Sequence, residues 1–247
     1  MPQISISRYN NNSESYRQVA AEYYDARRHP TCANFRSASL LTLTNYSNLA
    51  IDGAVICEVG AGKSLYTECV PDWRRRGQTL ILNDSVSEML LYSQSALEEG
   101  AEAIVADAET LALPQKADFI LCSLGDPYNK PSFWKNCTKI LKRGGFLLFT
   151  TPSFEWASLF RPPDKVSQTQ AEFRLCDGRV VVMPSHIVPV ATQINLVTNT
   201  GLSVQEFGSV RLNELPDVNI SSKLSFGSTL AVVDWFLVKN NLGANLS

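Results

Sequence analysis

The sequence predicts an α/β fold built on one doubly wound, mostly parallel sheet of seven strands. Its 247 residues, of which 45% are hydrophobic and 19% charged, are sufficient for one large domain with a substantial core. Short, nearly continuous apolar runs recur along the chain, as expected of strands that are buried on both faces. Segments of helical character separate these runs, and repeated strand–helix–strand units form parallel sheets with right-handed crossovers.

Two helices are predicted before the sheet. Residues 1–12 show no hydrophobic period and predict a leader. In residues 13–27, apolar and aromatic residues recur at helical spacing, and the pair His29-Pro30 ends this helix. A second helix is predicted at residues 34–46. The resulting domain prediction is a leader and helical lid at 1–48 and a main domain at 49–247.

The predicted strands are seven apolar runs, and four predicted helices lie between them. The strands cover residues 54–59, 79–84, 101–107, 117–123, 144–151, 202–210 and 228–239, and the helices cover 64–75, 86–98, 131–142 and 188–200. After Pro152 the chain is rich in loop residues, and Asp177-Gly178 lies between two strand-like runs, which indicates a hairpin. We therefore expect an inserted second lid segment at 153–190.

Charge and composition argue against several classes of function. A net charge of −2 provides no global positive field for nucleic acid or an anionic membrane. No stretch approaches the roughly 18 apolar residues of a membrane span, and the N-terminus lacks the pattern of a signal peptide. The six cysteines are scattered without metal-binding spacing. We therefore expect a cytoplasmic protein with reduced thiols, without a metal site, that is a monomer or a homodimer.

A glycine-rich turn follows the first predicted strand, in the segment VICEVGAGKSLY at residues 55–66. The letters GKS suggest a phosphate-binding loop, but that motif needs a glycine where Cys57 lies within the strand. A dinucleotide-binding fingerprint would need a third glycine, which is absent here. A turn that only packs a helix on a strand is a further alternative.

The residues Glu58-Val59-Gly60-Ala61-Gly62 resemble the first motif of the class I S-adenosylmethionine-dependent methyltransferases. The resemblance implies that the backbone at Gly60, Ala61 and Gly62 packs against the methionine part of the cofactor. It also implies that Glu58 meets the cofactor's ammonium group through charge-assisted hydrogen bonds.

A second match follows the second predicted strand, where Asp84-Ser85 is followed by the pair Met89-Leu90. The family has an acidic residue and a Met-Leu pair at this point, so the resemblance assigns Asp84, Ser85 and Met89 to the cofactor site. A carboxylate here can accept hydrogen bonds from two vicinal ribose hydroxyls. Alternatively, Asp84 only caps the helix that follows.

Further matches follow the third and fourth strands. Asp107-Ala108 is similar to the family's Asp-Ala pair at the adenine edge, although a surface loop with a capping Asp is the alternative. Ser123 and Leu124 correspond to the strand end beside the ligand. The resemblance covers about residues 54–152. It implies the Rossmann-like methyltransferase fold, with S-adenosylmethionine as cofactor and S-adenosylhomocysteine as product.

The methyl acceptor should lie at the carboxyl ends of the strands and under the lid. His29 and His186 are candidate bases because histidine titrates near neutral pH. Asp126 and Tyr128 are candidate pocket residues, in a GDPY segment that only partly matches the motif of methyltransferases acting on amino groups. Tyr24 is a candidate to close over the cofactor. Each of these residues also has an ordinary structural explanation.

The leading hypothesis is a methyltransferase that acts on an O, N or C nucleophile of a small molecule. One alternative is a domain that binds S-adenosylmethionine as a scaffold without transferring a methyl group. Another is a nucleic-acid or protein amino-methyltransferase, which rests on the GDPY segment and predicts salt-dependent polynucleotide binding or activity on peptides.

Overall fold

A seven-stranded sheet lies at the centre of the computed structural model, which describes residues 11–160, 169–216, 219–225 and 227–241. The strands are β1 (Val55–Val59), β2 (Thr79–Asp84), β3 (Glu102–Val105), β4 (Ala117–Cys122), β5 (Leu141–Pro152), β6 (Gln170–Arg174), β7 (Val180–Pro184), β8 (Leu202–Arg211) and β9 (Ala231–Asn240). The α-helices are α1 (Asn11–Val19), α2 (Pro30–Tyr46), α3 (Leu65–Cys69), α4 (Ser87–Leu90), α5 (Gln94–Glu98), α6 (Pro131–Ile140), α7 (Phe154–Phe160) and α8 (Val190–Thr198). No helix among these residues is long and apolar enough to cross a membrane.

The strand order of the sheet is β3-β2-β1-β4-β5-β9-β8. Strands β1 to β5 are parallel, whereas β9 runs antiparallel to both of its neighbours. This arrangement confirms the predicted doubly wound, mostly parallel, seven-stranded fold. The order reverses between β1 and β4, and such a switch point opens a crevice beyond the carboxyl ends of the strands.

The parallel strands are apolar because both of their faces are covered. In β1, Val55 and Cys57 belong to the core shared with α6 and α8, whereas Ile56 belongs to the core shared with α2 and α3. Burying one such aliphatic side chain contributes about 1.5–3 kcal/mol. The two cores therefore fix the register of β1 and, with it, the position of the turn that follows.

Several predicted helices are shorter than expected or interrupted. The first ends at Val19, and the chain continues in turns towards Pro30, the first residue of α2. Helix α3 ends at Cys69 because Pro71 restricts the residue before it to extended backbone. The predicted helix at 86–98 is divided into α4, a 3-10 turn and α5.

The inserted segment after β5 contains the predicted hairpin and an additional helix. Strands β6 and β7 pair antiparallel on either side of Asp177-Gly178. The loop-rich stretch after Pro152 also contains α7, which the sequence analysis did not predict: the Ser153 hydroxyl oxygen accepts the Trp156 N–H and Trp156 packs in the core. Residues 161–168 of the insertion lie outside the described residues.

The hairpin packs against the N-terminal segment rather than against the main sheet. Val19 of α1 shares an apolar cluster with Phe173, Val181 and Met183 of the hairpin. Tyr23 adds a ring that stacks on Phe173 with centroids 5.7 Å apart. Two segments distant in sequence thereby meet over the carboxyl ends of β1 and β4.

Candidate cofactor and acceptor site

The turn between β1 and α3 is built around two glycines in left-handed backbone conformations. Gly60 has φ +65° and Gly62 has φ +44°, and residues other than glycine rarely adopt such backbone angles. The turn is held against β2, because the Ala61 N–H donates to the Asn83 carbonyl at 2.8 Å and the Gly62 N–H donates to Asp84 at 3.1 Å. Gly60 and Ala61 line a cavity whose walls also include Tyr24, Asp84 and Leu124, and this cavity is named the main cavity.

Glu58 is buried at the end of β1, and the first turn of α3 surrounds its carboxylate. The Ser64 hydroxyl donates to it at 2.5 Å, the Leu65 N–H at 2.8 Å and the Tyr66 N–H at 3.3 Å. Burial raises the pKa of Glu58, and these hydrogen bonds oppose the shift. The resemblance implied a contact with the cofactor's ammonium group. In this structure Glu58 borders the cavity, but its oxygens already serve the N-terminus of α3.

Asp84 is buried at the end of β2 and lines the main cavity. One oxygen accepts the Gly62 N–H and the other accepts the Val86 N–H at 3.0 Å. Since each carboxylate oxygen has two lone pairs, both can accept a further hydrogen bond from a ligand. Burial raises the pKa of Asp84 to about 7, although the backbone hydrogen bonds favour the charged form.

Tyrosine rings cover the glycine turn. A Cβ atom at Gly60 would lie 2.8 Å from the ring of Tyr128, and one at Gly62 would overlap the Tyr24 hydroxyl. Tyr24 accepts the Lys63 N–H at 2.8 Å, so this ring is fixed to the turn. Glycine is therefore required here by both the backbone angles and the close approach of the rings.

The end of β4 forms the other side of the crevice. Leu124 has φ +50°, a strained conformation of the kind that concentrates at functional sites. Its N–H donates to the Thr150 hydroxyl oxygen at 2.9 Å, and that hydroxyl lies 2.8 Å from the Ser39 hydroxyl. Ser123 and Leu124 both line the main cavity, at the place predicted for them.

The main cavity has a volume of about 230 Å³, somewhat below the roughly 300–1,000 Å³ of common ligand pockets. Tyr16, Tyr23 and Tyr128 line it, and their hydroxyls form no hydrogen bond to the described part of the chain. Burial raises the pKa of all three phenols well above the usual value, so they remain protonated. These hydroxyls can therefore donate hydrogen bonds to a ligand.

Eight of the predicted cofactor residues line the cavity and four do not. Glu58, Gly60, Ala61, Asp84, Met89, Ser123 and Leu124 line it together with Tyr24. Gly62 does not line the cavity and is covered by Tyr24. Ser85 does not line it either, and its N–H donates to Asp84, which favours the charged form of that carboxyl. Asp107 and Ala108 lie beyond the cavity, where Asp107 accepts the Glu109 N–H at 2.8 Å.

Two of the predicted acceptor residues have structural partners outside the cavity. Asp126 is buried, accepts a hydrogen bond from the Ser185 hydroxyl, and accepts the His186 N–H at its carbonyl. The His186 carbonyl accepts from Asn129 at 2.9 Å. Because Asp126 and His186 join the hairpin to the β4 loop and do not line the cavity, the structure gives neither a position for proton transfer.

His29 lies immediately before α2 and lines the main cavity. Its Nε2 is 3.4 Å from the Glu22 carboxylate, and its ring centroid is 4.0 Å from that of Phe173. Glu22 is oriented by two contacts from the Cys176 N–H, at 3.0 and 3.2 Å. This arrangement is typical of a general base whose ring is held by a carboxylate.

Helix α2 supplies site residues that the sequence analysis did not identify. Arg36 donates to the Lys63 carbonyl at 2.8 Å and to Glu68 at 2.6 Å, and its guanidinium lies 5.8 Å from the centre of the Tyr24 ring. Cys32 also lines the cavity. A single arginine in a helix has no motif, so only the packing of α2 against the glycine turn reveals its role.

The residues of the cavity fit S-adenosylmethionine at two points. Asp84 offers both carboxylate oxygens where ribose hydroxyls require acceptors. Arg36 and Lys63 place positive charge beside the turn, where the carboxylate of the methionine part requires it. In the described residues no group of three or more His, Cys, Asp or Glu side chains could hold a metal ion.

Comparisons with known proteins agree with this assignment. Residues 57–149 match the family model of a methyltransferase domain. No curated protein sequence matches the chain. The solved DhpI-SAM-HEP complex is similar in fold, with a TM-score of 0.65 and 15% identity over 94% of this chain and 100% of that chain.

Two further structures show the same fold. An S-adenosylmethionine-dependent methyltransferase from Clostridium acetobutylicum ATCC 824 has a TM-score of 0.60 and 13% identity, covering 91% of this chain and 98% of that chain. The N-methyltransferase NodS from Bradyrhizobium japonicum WM9, in complex with S-adenosyl-L-homocysteine, has a TM-score of 0.59 and 13% identity, covering 94% and 99%. Residues 57–149 therefore carry a methyltransferase domain, and the motifs and the strand order around it support an S-adenosylmethionine-dependent enzyme.

Proposed function

We propose that the protein transfers a methyl group from S-adenosylmethionine to a nucleophile of a small molecule, with His29 as general base. The observation that carries this proposal is the position of His29 in the same cavity as Asp84 and the glycine turn. When bound, S-adenosylmethionine would supply an electrophilic methyl carbon: the acceptor's lone pair would bond to it as the carbon–sulfur bond breaks, with the electron pair left on the sulfur of S-adenosylhomocysteine.

In this proposal the cofactor-binding residues are Asp84, for the ribose, and the turn from Gly60 to Gly62 with Arg36 and Lys63, for the methionine part. Asp107 and Ala108 remain the predicted adenine contacts, and in this structure they do not line the main cavity. The hydroxyls of Tyr16 and Tyr23 bind and orient the acceptor by donating hydrogen bonds.

His29 takes the proton that the acceptor loses as its oxygen or nitrogen becomes methylated. The Glu22 carboxylate holds the ring and stabilises the imidazolium that forms. Tyr23, Tyr24 and Phe173 surround the site with aromatic rings, which excludes water from the reacting groups.

A small acceptor is favoured by two features. The cavity of about 230 Å³ is narrow and lies beneath the packed N-terminal segment. The net charge of −2 provides no extended positive surface for a polynucleotide. A small molecule can enter such a cavity, whereas a folded macromolecule would need a more open site.

The test compares His29→Gln with His186→Gln, a matched control at the histidine that does not line the cavity. Once a screen for S-adenosylhomocysteine formation has identified an acceptor, His29→Gln should lower kcat by roughly 10²–10⁴-fold. Its affinity for S-adenosylhomocysteine should stay within about twofold of wild type. Unchanged kcat in His29→Gln would remove the base assignment. If none of the acceptors tested is methylated, the result would favour a scaffold that only binds the cofactor.

A further inference from the structure

A second groove lies beside the main cavity, between the hairpin and the start of α2. It has a volume of about 700 Å³. His29 and Cys32 line both spaces, so the groove and the main cavity meet at the proposed base. A molecule in the groove would therefore have one end beside His29.

Positive charge in this groove is less compensated than negative charge. Arg174 and Lys223 line it, and neither forms an ion pair within the described part of the chain. Glu22 is already occupied by the Cys176 N–H, by His29 and by Arg28, whose guanidinium is 3.8 Å away. Glu172 is exposed and is the groove's other carboxylate.

The wall nearest the main cavity is polar and carries hydroxyl groups. Thr31 Oγ1 and Ser221 Oγ are 2.7 Å apart, and Ser222 is exposed beside them. Lys223 is close enough to Cys32 for its charge to act on the thiol, although burial dominates and raises the pKa of Cys32 to about 11. The charge of Lys223 therefore acts near the point where the two spaces meet.

We infer that this groove binds an anionic group of the methyl acceptor, a carboxylate or a phosphate, through Arg174 and Lys223. The inference rests on the proposed function and adds a substrate class to it. The nucleophile of such an acceptor lies beside His29, while its anionic group remains in the larger groove. Arginine provides a planar fork for either anion and lysine provides a compact charge.

The experiment titrates the protein with succinate, with inorganic phosphate and with succinamide, the neutral analogue of succinate. Each titration is performed by calorimetry on protein saturated with S-adenosylhomocysteine and again on protein without it. The variant Arg174→Ala/Lys223→Ala removes both unpaired cations. The matched control Arg75→Ala/Lys116→Ala removes two exposed cations that precede β2 and β4. They lie near the amino ends of these strands, away from the carboxyl ends where the groove lies.

We expect at least one of the two anions to bind, and succinamide to bind roughly tenfold more weakly than succinate. Arg174→Ala/Lys223→Ala should weaken anion binding by about tenfold while its affinity for S-adenosylhomocysteine is unchanged, and the control should behave as wild type. Preference for succinate or for phosphate distinguishes the two anion types.

Equal binding of succinamide, no binding of either anion, or anion binding that is unaffected in the Arg174→Ala/Lys223→Ala variant would each overturn the inference. Failure of the wild type to bind S-adenosylhomocysteine would instead count against the proposed function. The titrations without cofactor separate these two failures, because they report on the groove alone.

Discussion

Asp84 is proposed to bind the cofactor, and it is also a buried acid with a strongly raised pKa. Burial raises its pKa to about 7, so this carboxyl titrates near neutral pH in the unliganded protein. In the unliganded protein the raised pKa stabilises folding at acidic pH, and this contribution is lost as the pH rises through about 7. Hydroxyl donors from a ribose favour the charged form, so cofactor binding should have the opposite pH dependence.

We therefore predict that affinity for S-adenosylhomocysteine increases between pH 6 and pH 8, and that Asp84→Asn removes this dependence. The variant should also bind at least about tenfold more weakly, because an amide cannot accept hydrogen bonds at both of its terminal atoms. Calorimetry across this pH range measures both effects, with the exposed Asp72→Asn as control. A pH dependence that persists in Asp84→Asn would assign the titration to another group.

Gly60 and Gly77 allow the cost of backbone strain to be separated from the cost of crowding. Both have φ +65°, but a Cβ at Gly77 would meet no atom within 4 Å, whereas one at Gly60 would meet Tyr128. Gly77→Ala should cost about 1 kcal/mol of unfolding free energy from backbone strain. Gly60→Ala should cost roughly 1–3 kcal/mol more because it overpacks the turn, and it should weaken cofactor binding.

Denaturant unfolding and cofactor titration of both variants test this prediction. In the Tyr128→Ala background, Gly60→Ala should cost no more than Gly77→Ala costs in the wild type, because the ring that crowds the added Cβ is absent. If the two glycine variants lose equal stability, Tyr128 does not press on the turn as the structure describes.

At the scale of single residues, the sequence predicted many of the residues that line the main cavity, and their roles towards cofactor and acceptor stay predictions. Glu58, the glycines and Asp84 follow strands in a recognisable pattern, and their type indicates their chemistry. The sequence could not show that Ser64 and the first turn of α3 satisfy Glu58, because those contacts depend on the path of the turn. Arg36 and the pairing of His29 with Glu22 likewise depend on tertiary packing.

At the scale of elements, the hairpin and the N-terminal segment should open as one unit. Phe173 is buried between Tyr23 and His29, and its apolar cluster joins the hairpin to α1. Phe173→Ala should cost about 3 kcal/mol locally. Amide exchange in β6 and β7 should then accelerate by roughly a hundredfold, while exchange in β1 and β4 stays unchanged.

Phe207→Ala is the control, because this ring on β8 is 53% exposed. Hydrogen exchange followed by mass spectrometry measures both variants. A uniform increase in exchange over the whole chain, including the central sheet, would show that the hairpin is part of the same cooperative unit as the sheet.

Element boundaries were predictable where local chemistry sets them and not where distant contacts do. Pro30 starts α2 and Pro71 limits α3, and both effects can be read from the sequence. The 3-10 turn that follows α4 is instead held by contacts with a distant part of the chain. Buried Ser93 donates to the Gly62 carbonyl at 2.6 Å and accepts the Ser64 N–H at 2.8 Å, which joins this segment to the glycine turn.

At the scale of the whole molecule, the alternation of apolar runs with helices was sufficient to predict the doubly wound sheet. Parallel strands with right-handed crossovers leave few possible orders, and the switch point between β1 and β4 follows from the order observed. The meeting of α1 with the hairpin was not predictable in detail. Their contact joins segments more than a hundred residues apart, and no local pattern encodes it.

The most direct test of the central claim is calorimetric titration of the purified protein with S-adenosylmethionine, S-adenosylhomocysteine, ATP and NAD side by side. The account predicts that the first two bind at one site with roughly micromolar Kd, that ATP and NAD do not, and that Asp84→Asn weakens both. Binding of ATP or NAD in their place, or cofactor binding that is indifferent to Asp84, would contradict it.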